Sequence, residues 1–167
     1  MGFPTLPGLP PSAPTGLANP GFDYDFGPHF NQADAAGIRG SDLPKIKQVL
    51  KVAVPKVDAD GNELGGVPIV LRDAPLGTYL GWNLTASGFY KDKLCSFSAG
   101  MIPFARTKAQ RQAAGDPRLS LEERYKNHDG YVQAVKTAAH KLVHEGYLLS
   151  DDAAAMITQA EQSKVLK

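Results

Sequence analysis

The sequence lacks most of the features by which a protein is commonly assigned to a class. It contains a single cysteine, Cys95, so no intrachain disulfide can form. Basic and acidic residues nearly balance, at 18 and 17, which argues against a nucleic-acid binder because such proteins normally carry excess positive charge. No apolar run approaches the ~20 residues that span a bilayer, so we predict a soluble protein with no membrane partner.

A signal-peptide pattern is also missing. The first residues contain neither a basic segment nor an apolar stretch of the required length. This favours a cytoplasmic location, unless a leader precedes the sequence. The length of 167 residues is that of one domain.

The motif of a serine nucleophile is absent as well. In G-x-S-x-G, the two glycines let the chain turn sharply around the reactive serine. Ser98, Ala99 and Gly100 supply half of that motif, but Ser96 occupies the position of the first glycine. A reactive thiol needs a setting that is both electropositive and partly exposed, which the sequence does not establish for Cys95, so we expect it to be a small buried side chain. We therefore assign no catalytic residue.

The sequence offers no convincing metal site. His140 and His144 are spaced i, i+4 and could share a metal, but no third ligand is evident and lysines on the same helix face indicate solvent exposure. Residues 58–62 (DADGN) resemble part of a calcium loop. An EF-hand loop needs glycine sixth and glutamate twelfth, whereas Gly61 is fourth and Ile69 twelfth. We predict a plain turn there, with no metal and no cofactor.

What the sequence does contain is a change of pattern along the chain, which predicts an α+β fold. Residues 1–44 are rich in Pro and Gly with interspersed aromatics, which predicts an irregular arm that lays apolar side chains onto another surface. Residues 45–104 predict a β-hairpin, with strands near 49–54 and 67–71, followed by an aromatic loop region. Residues 105–167 have helical periodicity.

Two short helices are marked by their first residues. Thr107 with Gln110, and Ser120 with Glu123, have the spacing of capping boxes. In such a box the side chains at both positions hydrogen-bond the other's backbone N–H. We therefore predict that a helix begins just after Thr107 and another just after Ser120.

A longer amphipathic helix follows, for which we predict Asp129 as the N-cap and Gly146 as the end. We interpret Ser150 as the cap of the last helix. The apolar stripe of the long helix consists of Tyr131, Val132, Val135, Ala138, Ala139, Leu142 and Val143.

The strongest binding candidates lie in the aromatic loop region. Glycines on both sides allow close backbone approach, and aromatic rings with amide and hydroxyl groups are typical of ligand pockets. Arg106 and Arg118 could clamp a carboxylate, or could pair structurally with Asp116 or a nearby glutamate. The alternative is that the two aromatic rings anchor the loop to a core. The predicted substrate-lining residues are Thr78, Tyr79, Trp82, Asn83 and Arg106.

Several segments together resemble the C-terminal region of a family of bacterial α/β-hydrolase-domain proteins. The main ones are VPKVDADGNELGGV (54–67), PLGTYLGWNL (75–84), GMIPFARTKAQR (100–111), GDPRLSLEERY (115–125) and LVHEGYLLSDDAA (142–154). The resemblance implies a larger α/β hydrolase, in which the serine elbow and its acid and histidine partners lie upstream of the matched part. No catalytic residue can therefore be carried over onto this sequence.

Three interpretations of function stay open. In the first, the chain is the C-terminal portion of an ester or amide hydrolase, which packs on the core and helps to line the substrate site but is not catalytic alone. In the second, it is a non-catalytic interaction subunit or the product of a truncated gene. In the third, it is an independent small enzyme of unrecognised chemistry. The expected partner is a hydrolase core, in a longer chain or a separate polypeptide, with self-association through the apolar arm as a further expectation.

Overall fold

The computed structural model describes residues 6, 7, 9, 22–31, 33, 44–50, 55–89, 91, 94, 95 and 98–167. The chain forms two compact units. One consists of Gly16–Val54, and the other of Met1–Thr15 with Pro55–Lys167.

The smaller unit is built on a pair of antiparallel strands, β1 (Phe22–Asp25) and β2 (Lys45–Val49), with a register shift between Asp23 and Tyr24. The Phe26 ring lies 5.9 Å from that of Tyr24 and 4.5 Å from that of Phe30. The expectation of a wholly irregular arm is therefore wrong, because aromatic residues favour a pleated strand and these three rings pack on one another. Other apolar residues of the arm, Phe3 and Leu17 among them, lie outside the described residues.

The larger unit contains two further antiparallel pairs and five helices among its described residues. β3 (Gly77–Leu80) pairs with β6 (Gly100–Pro103), and β4 (Asn83–Leu84) pairs with β5 (Leu94–Cys95). In chain order the elements are α1 (Val70–Asp73), β3 (Gly77–Leu80), β4 (Asn83–Leu84), β5 (Leu94–Cys95), β6 (Gly100–Pro103), α2 (Lys108–Ala113), α3 (Leu121–Tyr125), α4 (His128–His144) and α5 (Ser150–Gln162). Mixed helices and small antiparallel sheets confirm the α+β class.

The predicted hairpin is wrong in its second strand. The turn itself forms, since the Asp58 carboxylate accepts from the backbone N–H groups of Asp60 and Asn62 at 2.8 and 2.9 Å. Beyond one bridge between Val57 and Glu63 there is no ladder in the described part of this segment. The β-branched run that follows contains Pro68, which has no N–H to donate to a ladder. Its last residues belong to a helical turn, α1 (Val70–Asp73). The first predicted strand near 49–54 lies partly outside the described residues, and β2 pairs with β1 instead.

The helix starts were predicted in part. Both capping boxes form as expected, at Thr107 with Gln110 and at Ser120 with Glu123. Asn127 caps α4 by accepting from Gly130 N–H at 2.9 Å, so the assignment of this role to Asp129 is wrong.

Of the two ends of the connection between α4 and α5, the first was predicted correctly and the second was not. Gly146 closes α4 as predicted, with φ of +80° and its N–H donating to Val143 C=O. At the start of α5, Leu149 occupies the cap position without a side-chain hydrogen bond, and Ser150 is the first helical residue. The assignment of Ser150 as the cap is therefore wrong.

The hydrophobic core of the larger unit is centred on α4. The predicted stripe is confirmed, since Val143 is half-buried and its other six members are buried. These six are Tyr131, Val132, Val135, Ala138, Ala139 and Leu142. Ala153 and Ala160 of α5 and Val70 of α1 pack in the same cluster. The helix is thus held by burial of one apolar face against two neighbouring helices. None of the described helices is long and apolar enough to cross a membrane.

The capping box at Ser120 is tied to α2 through Glu123. Arg111 Nε and Nη2 donate to the Glu123 carboxylate at 2.5 and 2.8 Å. The backbone N–H and the hydroxyl of Ser120 donate to the same carboxylate at 3.0 and 2.8 Å. The hydrogen bonds from Arg111, followed by those from Ser120, lower the pKa of Glu123 to about 2.

This depressed pKa predicts a loss of stability in acid. Glu123 has a pKa of 4.5 without these contacts, so its contribution is fully present above that pH and is lost as the pH falls toward 2. In Glu123→Gln we expect the melting temperature to fall less steeply between pH 4.5 and 2 than in the wild type. Thermal melts of both proteins across that pH range measure the change in melting temperature, with Glu145→Gln, at an exposed position, as the control. Parallel pH profiles for the wild type and Glu123→Gln would contradict the prediction.

Candidate functional site

The residues predicted to bind a ligand lie on or beside β3. This strand pairs with β6 so that Thr78 faces Ile102 and Tyr79 faces Met101. Asn62, which is buried, holds the preceding turn against β3. Its Nδ2 donates to Gly77 C=O at 3.2 Å and its Oδ1 accepts from Tyr79 N–H at 2.8 Å. The turn at 58–62 is thereby fixed beside the strand.

Thr78 is fully buried, with an exposed fraction of 0 %. Its hydroxyl donates to the backbone carbonyl of Asp60 and accepts from Arg118 Nη1, the latter at 2.9 Å. The side chain therefore joins three segments of the chain and contributes to none of the pocket walls described below.

Arg118 lies at the centre of this buried network. Its Nε and Nη2 donate to the Asp116 carboxylate at 2.9 and 2.6 Å, which confirms the predicted structural pairing. The remaining N–H groups donate to Thr78, to Ile102 C=O at 2.9 Å and to Pro103 C=O at 3.2 Å. All five guanidinium N–H groups thus have a partner, which is what a charge with 2 % of its surface exposed requires.

Asp116 is kept charged by the same contacts. Burial is the largest single effect on its pKa and acts to raise it. The hydrogen bonds from the side chain and backbone N–H of Arg118, with the positive charges of Arg118 and Arg111, outweigh burial, so the pKa lies below its ordinary value. The pair is therefore an ionised, buried salt bridge.

The network extends to an aromatic ring and a second arginine. Phe104 is buried, and the guanidinium groups of Arg118 and Arg124 lie 5.1 and 4.2 Å from its ring centroid. Arg124 also forms a salt bridge with Asp60. Both cations therefore face the same π system, an arrangement typical of cation–π contacts. The Asp60–Arg124 pair could not be predicted from the sequence, since nothing in the local pattern around either residue indicates the other.

Trp82 and Asn83 line a pocket of about 580 Å³. Its wall is mixed, with apolar side chains at Leu84, Met101 and Ile102 and polar groups at Thr85 and Lys91. The Asn83 amide is oriented by donating to Ala99 C=O at 3.3 Å and accepting from Leu84 N–H at 2.8 Å. The volume lies within the range of about 300–1,000 Å³ that is typical of small-molecule sites, and the wall combines apolar surface with polar groups.

The other two predicted residues lie elsewhere. Tyr79 is half-buried and lines a separate pocket of about 290 Å³ with Arg72 and Glu63, and its hydroxyl accepts from Leu76 N–H at 3.3 Å. Arg106 is exposed and donates to the backbone oxygen of Lys167. Of the five residues, the structure therefore brings Trp82 and Asn83 together in one pocket wall. The role of all five in substrate binding stays a prediction.

The histidines do not form a catalytic pair among the described residues. His29, His140 and His144 are exposed. The two ring nitrogens of His128 lie 2.9 and 3.1 Å from the backbone oxygens of Val165 and Glu161. These contacts fasten the C-terminal residues to the start of α4 and leave the ring without a serine or cysteine partner in the described structure.

The other candidate nucleophiles and metal ligands are placed as follows. Cys95 is exposed on β5, so the expectation of a buried thiol is wrong, because this two-residue strand is at the surface. Ser98 is half-buried, and Ser96 lies outside the described residues. No group of three or more His, Cys, Asp or Glu side chains that could hold a metal occurs in the part of the chain that the structure describes.

Comparison with known families decides where the chain belongs. A family model described as alpha/beta hydrolase domain matches residues 10–158, which is most of the sequence. The chain belongs to the alpha/beta hydrolase domain family. No curated protein and no solved structure matches it with significance. The family resemblance inferred from the sequence segments is thereby confirmed.

Membership of this family indicates which motif would carry a nucleophile. In α/β hydrolases the nucleophile lies on a G-x-S-x-G elbow, with the acid and histidine after it. The sequence contains no such elbow. Within the alpha/beta hydrolase domain family, this chain therefore offers a ligand-sized pocket at Trp82 without the motif that would supply a nucleophile.

Proposed function

We propose that the chain acts as the C-terminal portion of an α/β hydrolase that cleaves an ester or amide, and that it is not catalytic alone. It packs on the hydrolase core and helps to line the substrate site. The observation that carries the proposal is the pocket at Trp82, which occurs in a member of a hydrolase family whose own sequence lacks the nucleophile elbow.

The chemistry of this pocket supports a role in holding substrate. The indole of Trp82 and the side chains of Leu84 and Ile102 offer an apolar surface, while Asn83 and Lys91 offer hydrogen-bond donors. An ester or amide substrate has the same two parts, an apolar group and a carbonyl that accepts hydrogen bonds. The pocket therefore suits recognition of the substrate rather than the bond-breaking step.

Packing on a core is supported by the open side of the pocket. Met101 lines it and keeps half of its surface exposed. Full burial of an apolar side chain of this size is worth about 1.5–3 kcal/mol, so covering the exposed half of Met101 stabilises an interface by about 1 kcal/mol. A hydrolase core seated here would close the pocket and cover Met101 at the same time.

A reconstitution experiment tests the proposal. A family member that has the elbow is truncated by the region equivalent to residues 10–158, and this chain is supplied as a separate polypeptide. We expect no fluorophosphonate labelling of this chain alone, and ester hydrolysis by the core that rises when the chain is added. In the reconstituted enzyme, Trp82→Ala should raise KM about tenfold with a smaller effect on kcat, because it removes binding contacts. The exposed Gln112→Ala on α2 is the control.

Two results would contradict it. Stoichiometric labelling of the isolated chain at Ser96 or Ser98 would make it an enzyme in its own right. Binding of the chain to the core without any change in hydrolysis would favour the interaction-subunit alternative.

A further inference from the structure

A second cleft, with a volume of about 530 Å³, lies between α1, α4 and α5. It shares no lining residue with the pocket at Trp82. Leu71 from α1, Val135 from α4 and Met156 from α5 contribute to its walls. The volume falls within the range of about 300–1,000 Å³ that is typical of small-molecule sites.

The lining of this cleft is apolar and carries no charged side chain. Its polar members are Tyr131, Gln159 and Ser163. Bringing a charged group into such a place is unfavourable unless the charge is paired, whereas an apolar body gains by leaving water. The cleft therefore selects for neutral ligands.

Tyr131 gives the cleft a specific polar group. This residue is more than nine-tenths buried and packs edge-on against Tyr125 at 5.4 Å. The Tyr125 hydroxyl donates to Pro75 C=O at 2.7 Å, but the Tyr131 hydroxyl has no hydrogen-bond partner among the described residues. Buried tyrosine hydroxyls normally have a partner. Because Tyr131 lines the cleft, we take its unpaired hydroxyl as the polar group that a ligand in the cleft would meet.

We propose that this cleft binds a small neutral molecule with a compact apolar body and a single hydroxyl or carbonyl group, which pairs with the hydroxyl of Tyr131. The apolar body lies between Leu71, Val135 and Met156. The site goes beyond the proposed hydrolase role and does not depend on it, because the two pockets are separate.

The test uses 1-naphthol and naphthalene, which share an apolar body and differ by one hydroxyl. Each is titrated into the full 167-residue chain while the methyl NMR signals of Val135 and Met156 are followed. We expect saturable binding at these methyl groups. Tyr131→Phe should weaken naphthol binding about two- to tenfold, the value of one hydrogen bond, and leave naphthalene binding unchanged. Tyr147→Phe, at an exposed tyrosine, is the matched control.

A second variant locates the site independently of Tyr131. Met156 is partly exposed on α5, so Met156→Glu should leave the fold intact while placing a carboxylate at the cleft. We expect it to weaken both ligands about tenfold. Ala155→Glu, at the neighbouring exposed position outside the cleft, should weaken neither.

Three results would overturn the proposal. The first is the absence of saturable binding at these methyl groups. The second is binding that neither Tyr131→Phe nor Met156→Glu alters. The third is dimerisation that Met156→Glu abolishes, detected by light scattering over a concentration series, since a second copy of the chain would then be what covers the cleft.

Discussion

Arg118→Met is expected to lower the free energy of unfolding by about 3–5 kcal/mol, the range for breaking a buried ion pair by removing one partner. Methionine keeps much of the apolar volume but leaves the Asp116 carboxylate buried without its cation. It also removes the donors to Thr78, Ile102 and Pro103. Domains of this kind have about 5–15 kcal/mol of stability in total, so a large share would be lost.

Urea denaturation followed by tryptophan fluorescence or circular dichroism measures this loss. Arg106→Met provides the matched control, because Arg106 is exposed, and its substitution should change stability by about 0.5 kcal/mol or less. In the double variant Asp116→Leu with Arg118→Met, part of the loss should be recovered, since no uncompensated charge is left inside. A loss below about 1 kcal/mol in Arg118→Met would show that the ion pair is not buried in solution.

Gly130→Ala is expected to destabilise the chain by about 1–3 kcal/mol, the cost of forcing an extra methyl group into a packed site. An added Cβ would lie 1.9 Å from the Tyr125 backbone oxygen and 3.0 Å from its carbonyl carbon. The backbone there has little freedom to move, because the Tyr125 side chain is buried and hydrogen-bonded to Pro75 and the next residue, Lys126, has a φ of +68°.

The sign of this effect separates packing from helix propensity. Alanine is favoured over glycine inside a helix by about 1 kcal/mol, so propensity alone would make Gly130→Ala stabilising. Gly81→Ala serves as the control, because an added Cβ at Gly81 meets no atom within 4 Å. Thermal melts of both variants decide the matter, and a Gly130→Ala variant as stable as the wild type would show that α3 and α4 separate more easily than their contact suggests.

The sequence predicted best what depends on neighbouring residues. Both capping boxes and the stripe of α4 form as expected, because hydrogen bonds and burial over three or four residues decide them. The cap of α4 was misplaced because Asn127 and Asp129 both have suitable side chains. The run at 67–71 was misassigned because Val70 is buried against α4, and this tertiary contact outweighs the strand preference of β-branched residues.

The candidate site was predicted less well, for a geometric reason. Successive side chains on a strand point to opposite faces, so Thr78 and Tyr79 on β3 cannot line the same pocket. Trp82 and Asn83 do share a pocket wall. Arg106 follows β6 and lies near the chain's last residue instead. Proximity in sequence therefore predicted one pair of lining residues and failed for the rest.

The buried network around Thr78 also implies an order of folding. Arg118 reaches Thr78 across 40 positions, and Arg124 reaches Asp60 across 64, whereas α4 and α5 follow each other directly. Long loops lose more entropy on closure and contacts between distant segments form slowly, so the helical pair should be structured first and the arginine contacts last. Substitutions in the network should then raise the unfolding rate of the native chain and change its folding rate little.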